Sequence, residues 1–485
     1  MGAASDAEPS GGLGGRIGLL AGPGLGAALV AWTHPSAGAH GGLSAEGALT
    51  LGMLAWMSVW WVTQAVELAV TALIPLVALP LLGLASFRQV AACFSDSVIF
   101  LFAGGSVIAM ALDRHGLTAR FVHALLSAAG TRPVAVMGAV FVASACVSAF
   151  VSNTATAALV LPLAMGLVAR AAPLPGSEAH LQEQSRRNFA SAVLLAVAYG
   201  ATVGGGATLV GSPPNGVAAN YLRAEGVEVT FLSWLKVGLP VAVLAVPVCI
   251  AVIAWMLPCG HVRLSHERRP AFPRLGFAGR AALAVFAATV ACWVVLPSLP
   301  EGWKPKDLPD GAIAAAAAAV LLALPARDGS GERIVPWDVA TGMPWHVFIL
   351  FGGGLAIGEA MERNGVSQAI GSAFAGLGDL PRPVILGTIV TCMAFASEVG
   401  SNTALAATAI PVVAAAGPAL GLTPQEVAFA TALGASYAFM LPVGTPPNAL
   451  VFGTGMVRYR DMVRVGFVLN VAMAALVTAA LSVLC

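Results

Sequence analysis

Long apolar runs separated by short polar segments dominate this chain. A window of about 20 residues, the length that a helix needs to cross a hydrocarbon core, predicts about eleven spanning helices. They are expected near residues 17–33, 48–66, 67–86, 97–113, 188–211, 233–257, 277–297, 310–326, 343–361, 424–443 and 463–485. The pattern therefore predicts an all-α polytopic membrane protein.

Two further apolar stretches, about 134–169 and 383–417, are each interrupted by a polar Ser-Asn-Thr triplet. Such a triplet is unfavourable at the centre of a lipid-facing helix. Irregular backbone at membrane depth is tolerated only where it is buried in protein or lines a wet cavity. We therefore expect two re-entrant hairpins, each made of two half-helices that turn at the triplet.

Several motifs occur twice at one constant offset. The triplets are accompanied by a repeated aromatic-glycine motif and a repeated charged turn, and each triplet is followed later by a Pro-Pro-Asn turn. The triplets lie 249 residues apart, and so do Phe102–Gly105 and Phe351–Gly354, and Asp113–Gly116 and Glu362–Gly365. The Pro-Pro-Asn turns, Gly211–Asn215 and Gly444–Asn448, recur at a different spacing. Motifs repeated at one spacing mark an internal duplication.

The distribution of Arg and Lys predicts a cytoplasmic N-terminus, because positive residues concentrate in the segments that this orientation places inside. It puts Arg114 inside and its repeat partner Arg363 outside, so the repeats are inverted. Inverted repeats with broken helices are typical of secondary transporters, whose site lies near the midplane. The expected divisions are a cytoplasmic tail (1–16), a first half with spans 1 to 6 (17–258), a cytoplasmic linker (259–276) and a second half with spans 7 to 11 (277–485).

Composition supports this class and argues against others. Hydrophobic residues make up 58% of the 485 residues and charged residues only 10%. Because 24 Lys and Arg stand against 23 Asp and Glu, no basic surface for nucleic acid is expected. The histidines form no HExxH arrangement, and no P-loop is present, so an enzyme is not expected. The Ala, Gly and Arg-rich composition suggests a bacterial inner membrane protein.

The paired triplets suit two kinds of ligand. Hydroxyl and amide donors, with the free backbone N–H groups at a half-helix start, favour an anion. Carbonyl oxygens freed at the helix breaks, with hydroxyl and amide oxygens, favour a small hard cation. Two such tips facing each other could hold a carboxylate at each end, and no organic cofactor is expected.

The paired triplets, the paired Pro-Pro-Asn turns and the run from Ala435 to Val451 together resemble the divalent anion/sodium symporter family. Members take up dicarboxylates, citrate or sulfate, and the resemblance covers nearly the whole chain. Gln64 and Glu67 depart from the family pattern, which commonly has Glu and Pro there. Neither position belongs to the site motifs, so the departure bears on the subfamily.

The resemblance implies specific ligands. The first sodium site would be Ser148, Ser152, Asn153 and Gly211, and the second Ser397, Gly400, Asn402 and Gly444. Substrate would be held by Ser152, Asn153, Thr154, Ser401, Asn402 and Thr403, with Ser212, Thr445 and Pro446 nearby. Since neither constellation contains Lys or Arg, charge balance for a dianion would come from sodium and helix dipoles, which favours cation coupling.

The resemblance also implies sodium-coupled symport of a C4 dicarboxylate such as succinate, by a lipid-embedded homodimer with an elevator mechanism. A sodium-independent exchanger, or a transporter of citrate, sulfate or another anion, remains an alternative. A channel or primary-pump subunit for an anion such as arsenite is a further one. His346, Glu359 and Glu398 could relay protons; the other interpretation is that these side chains are paired inside the protein or act as caps.

Overall fold

The computed structural model describes residues 13–34, 43–174, 178–264, 272–300, 303, 308–374, 376 and 379–485. Most of the predicted N-terminal tail and residues 265–271 of the predicted linker lie outside these ranges. Within them, seven helical segments are long and apolar enough to cross a membrane, judged by length and composition. These segments are Gly15–Thr33, Phe87–Arg114, Ala179–Ala207, Phe231–Met256, Phe277–Ser298, Arg382–Val399 and Tyr459–Leu484.

The described chain is almost entirely helical. Its helices are α1 Leu13–Thr33, α2 Ala45–Thr63, α3 Leu68–Ala72, α4 Ile74–Leu81, α5 Phe87–Cys93, α6 Ser97–Arg114, α7 Leu117–Ala128, α8 Pro133–Ser148, α9 Asn153–Ala169, α10 Ala179–Ala207, α11 Pro213–Ala224, α12 Phe231–Met256, α13 Phe277–Val295, α14 Asp310–Ala323, α15 Trp337–Ala340, α16 Trp345–Arg363, α17 Val366–Phe374, α18 Arg382–Ala396, α19 Asn402–Ala416, α20 Pro424–Ser436, α21 Pro446–Gly453 and α22 Tyr459–Leu484. The strands β1 Ala171–Pro173 and β2 Val262–Leu264 pair antiparallel.

Three predicted elements differ from the observed ones. The span expected at 67–86 is two helices, because Pro75 at the start of α4 interrupts the helical hydrogen bonding. The span expected at 424–443 ends as a helix at Ser436, and the backbone beyond it is unwound. The linker expected from residue 259 contains the strand β2, which pairs with β1, the strand that follows α9.

Both polar triplets lie at a turn between two helices. Ser152 caps α9 by accepting a hydrogen bond from the backbone N–H of Ala155 at 3.3 Å. Ser401 caps α19 in the same way, from the N–H of Ala404 at 3.3 Å. A serine hydroxyl at this position satisfies one of the N–H groups that every helix start leaves free. The pairs α8–α9 and α18–α19 are called the first and second hairpin below.

The two halves are interlocked through repeat-related residues. Phe102 on α6 contacts its repeat partner Phe351 on α16 edge to face, with ring centroids 5.0 Å apart. Gly104 on α6 packs against the backbone of Ala314, and its partner Gly353 on α16 packs against that of Ala72. In each half, a glycine thus allows one helix to pack closely against the backbone of the other half. A two-fold relation between the halves produces such an arrangement.

Helix α10 lies at the centre of the molecule. Its entire spanning window is buried. Gly200 and Gly204 bring it against the carbonyl groups of Phe141 and Ala145 on α8. In the second half, Gly434 brings α20 against Val390 of α18 in the corresponding way. Small residues let helix backbones approach closely in membranes. Here they allow each hairpin to pack closely against the broken helix of its own half.

Candidate substrate and ion site

Two broken helices form the framework of the site. Helix α10 ends at Ala207 and α11 begins at Pro213, whereas α20 ends at Ser436 and α21 begins at Pro446. Each break leaves carbonyl groups without the partner that a continuous helix would provide. Because two prolines open each second segment, the helix cannot simply continue.

The asparagine of each Pro-Pro-Asn turn binds the freed carbonyls. The Nδ2 group of Asn215 donates to the carbonyls of Gly205 at 2.9 Å and Thr208 at 2.8 Å. The Nδ2 group of Asn448 donates to those of Ala438 at 3.3 Å and Leu441 at 3.0 Å. Both asparagines are fully buried, and the Oδ1 atom of each has no partner among the described residues.

The tip of the first hairpin lies against the first break. The hydroxyl of Ser148 donates to Oδ1 of Asn153 at 2.7 Å. Gly211 approaches the carbonyl of Ser148 so closely that a Cβ atom on it would lie 3.0 Å away. A hydrogen bond from the hydroxyl of Thr208 to the carbonyl of Ala149 ties the break to the tip. The structure therefore places Ser148, Asn153 and Gly211 together.

The tip of the second hairpin meets the second break. The Nδ2 group of Asn402 donates to the carbonyl of Ser436 at 3.3 Å, and its Oδ1 atom has no partner among the described residues. Ser397 is buried and donates to the carbonyl of Ala394 at 2.9 Å. Gly444 packs against Glu398, the neighbour of Ser397. The space around Gly400 is open, so no packing contact places it beside the other predicted ligands.

The residues predicted to bind substrate differ in exposure. Ser152 and Thr154 are exposed, as is Pro446, while Asn153 and the second triplet Ser401–Thr403 are half-buried. Ser212 and Thr445 are buried at the starts of α11 and α21. The hydroxyl of Thr445 accepts a hydrogen bond from the backbone N–H of Asn448 at 3.3 Å. Both triplets therefore keep polar groups accessible beside a buried support.

The two breaks contact each other. The hydroxyl of Tyr437 lies against Gly206, where a Cβ atom would be 2.7 Å from it. The rings of Tyr199 and Phe439 meet edge to face, with centroids 5.1 Å apart. In addition, α9 packs against α21, and α11 packs against α19. The hairpin of each half thus touches the second broken-helix segment of the other half.

The chemistry of the tips suits a hard monovalent cation. The predicted ligands offer hydroxyl, amide and backbone oxygens, which are the donors that hard cations prefer. The buried Oδ1 atom of Asn402 is an oxygen acceptor without a partner in the described structure. Within the described residues, no group of three or more His, Cys, Asp or Glu side chains could hold a metal ion.

A separate cavity of about 700 Å³ lies between α11, α16, α17 and α19. Its polar lining includes Asn220, Tyr221, Glu225, Glu359, Glu362 and Arg363. It reaches α19 from Ala407 onward and contains none of the predicted site residues. We place the candidate site at the tips rather than in this cavity, because the tips carry the paired triplets beside the freed backbone groups, whereas no residue of either helix break lines the cavity.

Two supporting residues were not among the ligands predicted from the sequence, which offered Glu398 only as a candidate for proton relay or for pairing or capping inside the protein. Glu398 binds the unwound backbone after α20, and Asn470 on α22 binds Glu398. Glu398 could be noticed only as an acidic residue beside a predicted ligand. Asn470 stands in an ordinary apolar run, where no local pattern marks it.

The fold and the paired tips define a polytopic membrane transporter. A family model described as "Citrate transporter" matches residues 58–434, and the chain belongs to this citrate transporter (CitMHS) family. It is therefore an integral membrane transporter and not an enzyme, as predicted.

Individual relatives agree with this assignment. The sodium-dependent dicarboxylate transporter SdcS of Staphylococcus aureus (strain bovine RF122 / ET3-1) is 31% identical over 472 residues, covering 95% of this chain and 89% of the relative. SdcS of strain USA300 is 30% identical over the same length. These matches confirm the resemblance to sodium-coupled divalent anion transporters.

A solved structure shows the same fold. The crystal structure of the Alcanivorax borkumensis YdaH transporter, described as having an unusual topology, matches with a TM-score of 0.57. The match covers 82% of this chain and 87% of that one, at 15% sequence identity. At this identity it supports the helical transporter fold alone.

Proposed function

We propose that this protein is a secondary active transporter that couples sodium entry to uptake of a C4 dicarboxylate such as succinate. The observation that carries the proposal is the pair of hairpin tips, which offer oxygen ligands and free helix starts but contain no Lys or Arg. A dianion bound there needs cations for charge balance. The relatives named sodium-dependent dicarboxylate transporters support the same coupling.

Each tip would bind one sodium ion. The first ion would be held by Ser148, Ser152, Asn153 and Gly211, and the second by Ser397, Gly400, Asn402 and Gly444. Support comes from the contacts that bring Ser148, Asn153 and Gly211 together, and from the unpartnered oxygen of Asn402.

The substrate carboxylates would lie at the starts of α9 and α19. The N-terminal N–H groups of a helix carry a partial positive charge that favours an anion. The triplets Ser152–Thr154 and Ser401–Thr403 would supply side-chain donors, with Ser212, Thr445 and Pro446 beside them. Sodium that orders the tips first would lower the entropic cost of binding substrate, which couples the two ligands positively.

The site would cross the membrane by an elevator movement. The moving part would comprise both hairpins, both broken helices and the helices that follow them (α8–α12 and α18–α22), which we call the hairpin unit. Helices α12 and α22 belong to it because α12 packs along α10 and α22 packs along α18 and binds Glu398 through Asn470. Support comes from the mutual contacts within it, through Asn153 with Gly205, Tyr437 with Gly206, and α9 with α21. The remaining helices would form a scaffold that holds a homodimer in the bacterial inner membrane, with the N-terminus cytoplasmic.

The proposal is tested by uptake of radiolabelled succinate into proteoliposomes, with an inward sodium gradient compared with the same gradient of choline. We expect sodium-dependent uptake that collapses in Asn153→Ala and in Asn402→Ala. Asn364→Ala is the matched control, because Asn364 binds Thr50 at 2.8 Å, away from both tips. Uptake that does not depend on sodium but is stimulated by dicarboxylate inside the vesicles would instead indicate an exchanger.

Citrate is the second candidate substrate, because the matching family is described as a citrate transporter. Competition of unlabelled citrate and sulfate with labelled succinate in the same vesicles ranks the three anions. Sodium-driven uptake of citrate without uptake of succinate would replace the C4 assignment and keep the coupling.

A further inference from the structure

The second hairpin carries a buried carboxylate that has no cationic partner. Glu398 is 2% exposed and lies in the short turn between α18 and α19. None of the ion pairs within the described residues involves it. A buried charge without compensation is costly, so its hydrogen bonds must supply the compensation.

Four hydrogen bonds provide it. The Oε1 atom of Glu398 accepts from the backbone N–H groups of Phe439 at 2.7 Å and Met440 at 2.8 Å. Its Oε2 atom accepts from that of Leu441 at 2.8 Å. The Nδ2 group of Asn470 donates to Oε1 at 2.7 Å. Three consecutive N–H groups of the unwound segment therefore converge on one carboxylate.

These bonds explain how the second break keeps its shape. Backbone N–H groups that leave a helix need new partners when they are buried. Hydrogen bonds to an ionised carboxylate are roughly twice as strong as neutral ones. Glu398 thus holds the segment after Ser436 against the hairpin, across 41 to 43 residues of chain.

Glu398 lies between the residues predicted to form the second sodium site. Ser397 precedes it, and Gly444 on the opposite element packs directly against it. A Cβ atom on Gly444 would lie 2.8 Å from Oε2. The carboxylate therefore bridges the two elements whose separation defines that site.

The first half makes the corresponding contact without a charge. Ala149 occupies the repeat position of Glu398. There the hydroxyl of Thr208 donates to the carbonyl of Ala149, and no carboxylate is involved. The two tips therefore differ in charge although their triplets are identical.

We propose that Glu398 is a positioning residue for the second sodium site. It clamps residues 439–441 to the second hairpin and places Gly444 at a constant distance from Ser397. Its negative charge also favours a cation at this tip, and the first tip has no corresponding charge. The proposal rests on the sodium coupling proposed above and adds a residue that acts through the ligands without being one.

The test is the sodium dependence of succinate uptake in Glu398→Gln. Glutamine keeps the size but loses the charge and turns an amide donor toward a backbone N–H. We expect the sodium concentration at half-maximal uptake to rise about tenfold, equivalent to about 1.4 kcal/mol, while maximal uptake at saturating sodium is largely retained. Asn470→Ala leaves the charge but removes the bond that Asn470 donates to Glu398 and the one that its Oδ1 atom accepts from the N–H of Phe439 at 3.2 Å, so we expect a smaller rise, about threefold.

Glu426→Gln is the matched control. Glu426 is also a fully buried carboxylate of the second half, but it binds Arg382 and caps α20 at Thr423, away from the tip. We expect it to lower thermal stability and to leave the half-saturating sodium concentration unchanged. Thermal stabilisation of the purified protein by sodium, with choline as reference, gives a second readout that does not require transport.

The outcomes are distinguishable. Sodium-dependent wild-type uptake with an unchanged half-saturating concentration in Glu398→Gln overturns the positioning role and leaves the proposed function in place. Equal shifts in Glu398→Gln and Glu426→Gln overturn it too, because a general loss of stability would then account for both. If neither uptake nor stability of the wild type responds to sodium, the proposed function fails, and this inference fails with it. If Glu398→Gln does not fold, the half-saturating sodium concentration of Asn470→Ala tests the positioning role, and an unchanged value overturns it.

Discussion

At the residue scale, the site depends on side chains that hold backbone groups in unusual places. Asn215 and Asn448 make equivalent pairs of hydrogen bonds at the two helix breaks. An unpaired buried polar group costs about 1–3 kcal/mol, so a break of this kind inside a membrane protein needs such partners. The repeated asparagines therefore support the breaks.

One residue-scale prediction concerns Gly205. A Cβ atom there would lie 2.4 Å from Oδ1 of Asn153, so Gly205→Ala must displace this predicted ligand. Because a side-chain amide can move more easily than backbone, we expect little change in thermal stability but a loss of sodium-dependent uptake. Gly105→Ala is the control, since its Cβ atom would meet only Val210 at an ordinary 3.6 Å. Normal uptake by Gly205→Ala would count against Asn153 as a ligand.

At the element scale, glycines decide how closely the helices pack. Because they have no side chain, Gly204 and Gly434 let α10 and α20 pack closely against their hairpins. Gly104 and Gly353 allow the same close packing between the two halves. Helices in lipid gain little from hydrophobic burial, so close van der Waals contact carries much of their association. These positions explain why glycine-rich helices can be both apolar and specifically packed.

The element-scale prediction compares two adjacent glycines of α16. A Cβ atom on Gly353 would lie 2.2 Å from the carbonyl oxygen of Ala72, whereas one on Gly354 meets nothing within 4 Å. We expect Gly353→Ala to destabilise the protein by about 1–3 kcal/mol through overpacking. Gly354→Ala should be neutral or slightly stabilising, because alanine favours helix. Thermal unfolding in detergent measures both, and equal melting temperatures would contradict the assigned packing.

At the scale of the whole molecule, the proposed elevator mechanism requires the hairpin unit to move against the scaffold. Helix α17 of the scaffold packs onto α19 of the hairpin unit, where a Cβ atom on Gly371 would lie 2.9 Å from the carbonyl oxygen of Ala415. A covalent link here would join the two parts. A link between α18 and α20, at Val390 and Gly434, would lie wholly inside the hairpin unit.

The whole-molecule prediction uses these two links. We expect a disulfide formed in Gly371→Cys/Ala415→Cys to abolish uptake until reductant is added, because the hairpin unit can no longer slide. The same treatment of Val390→Cys/Gly434→Cys should leave uptake at the level that this variant shows under reductant, because the link lies inside the hairpin unit. Any loss of uptake from overpacking at Gly434 is present in both states. The wild type, which has seven native cysteines, provides the oxidation baseline. Full uptake by the oxidised variant, with the α17–α19 disulfide verified, would contradict the elevator mechanism.

Much of the architecture could be predicted from the sequence because it depends on local patterns. Apolar runs mark helices, a serine before a helix marks its start, and paired prolines stop a helix. For this reason the turns at Ser152 and Ser401, and the starts of α11 at Pro213 and of α21 at Pro446, lie where the sequence places them. The family resemblance, carried by the same motifs, was confirmed in the same way.

Tertiary structure alone decided how these elements meet. The apolar run after Pro424 continues to Val443, so no local signal shows that α20 ends at Ser436. The helix can end there because Glu398 and Asn470, which lie elsewhere in the chain, accept the hydrogen bonds of the unwound backbone at Phe439. Likewise, the contact of Gly205 with Asn153 joins residues of different helices. The sequence by itself determined the class of protein, the helices and the chemistry of the tips; the packing decided which groups support them, because such support comes from residues far apart along the chain.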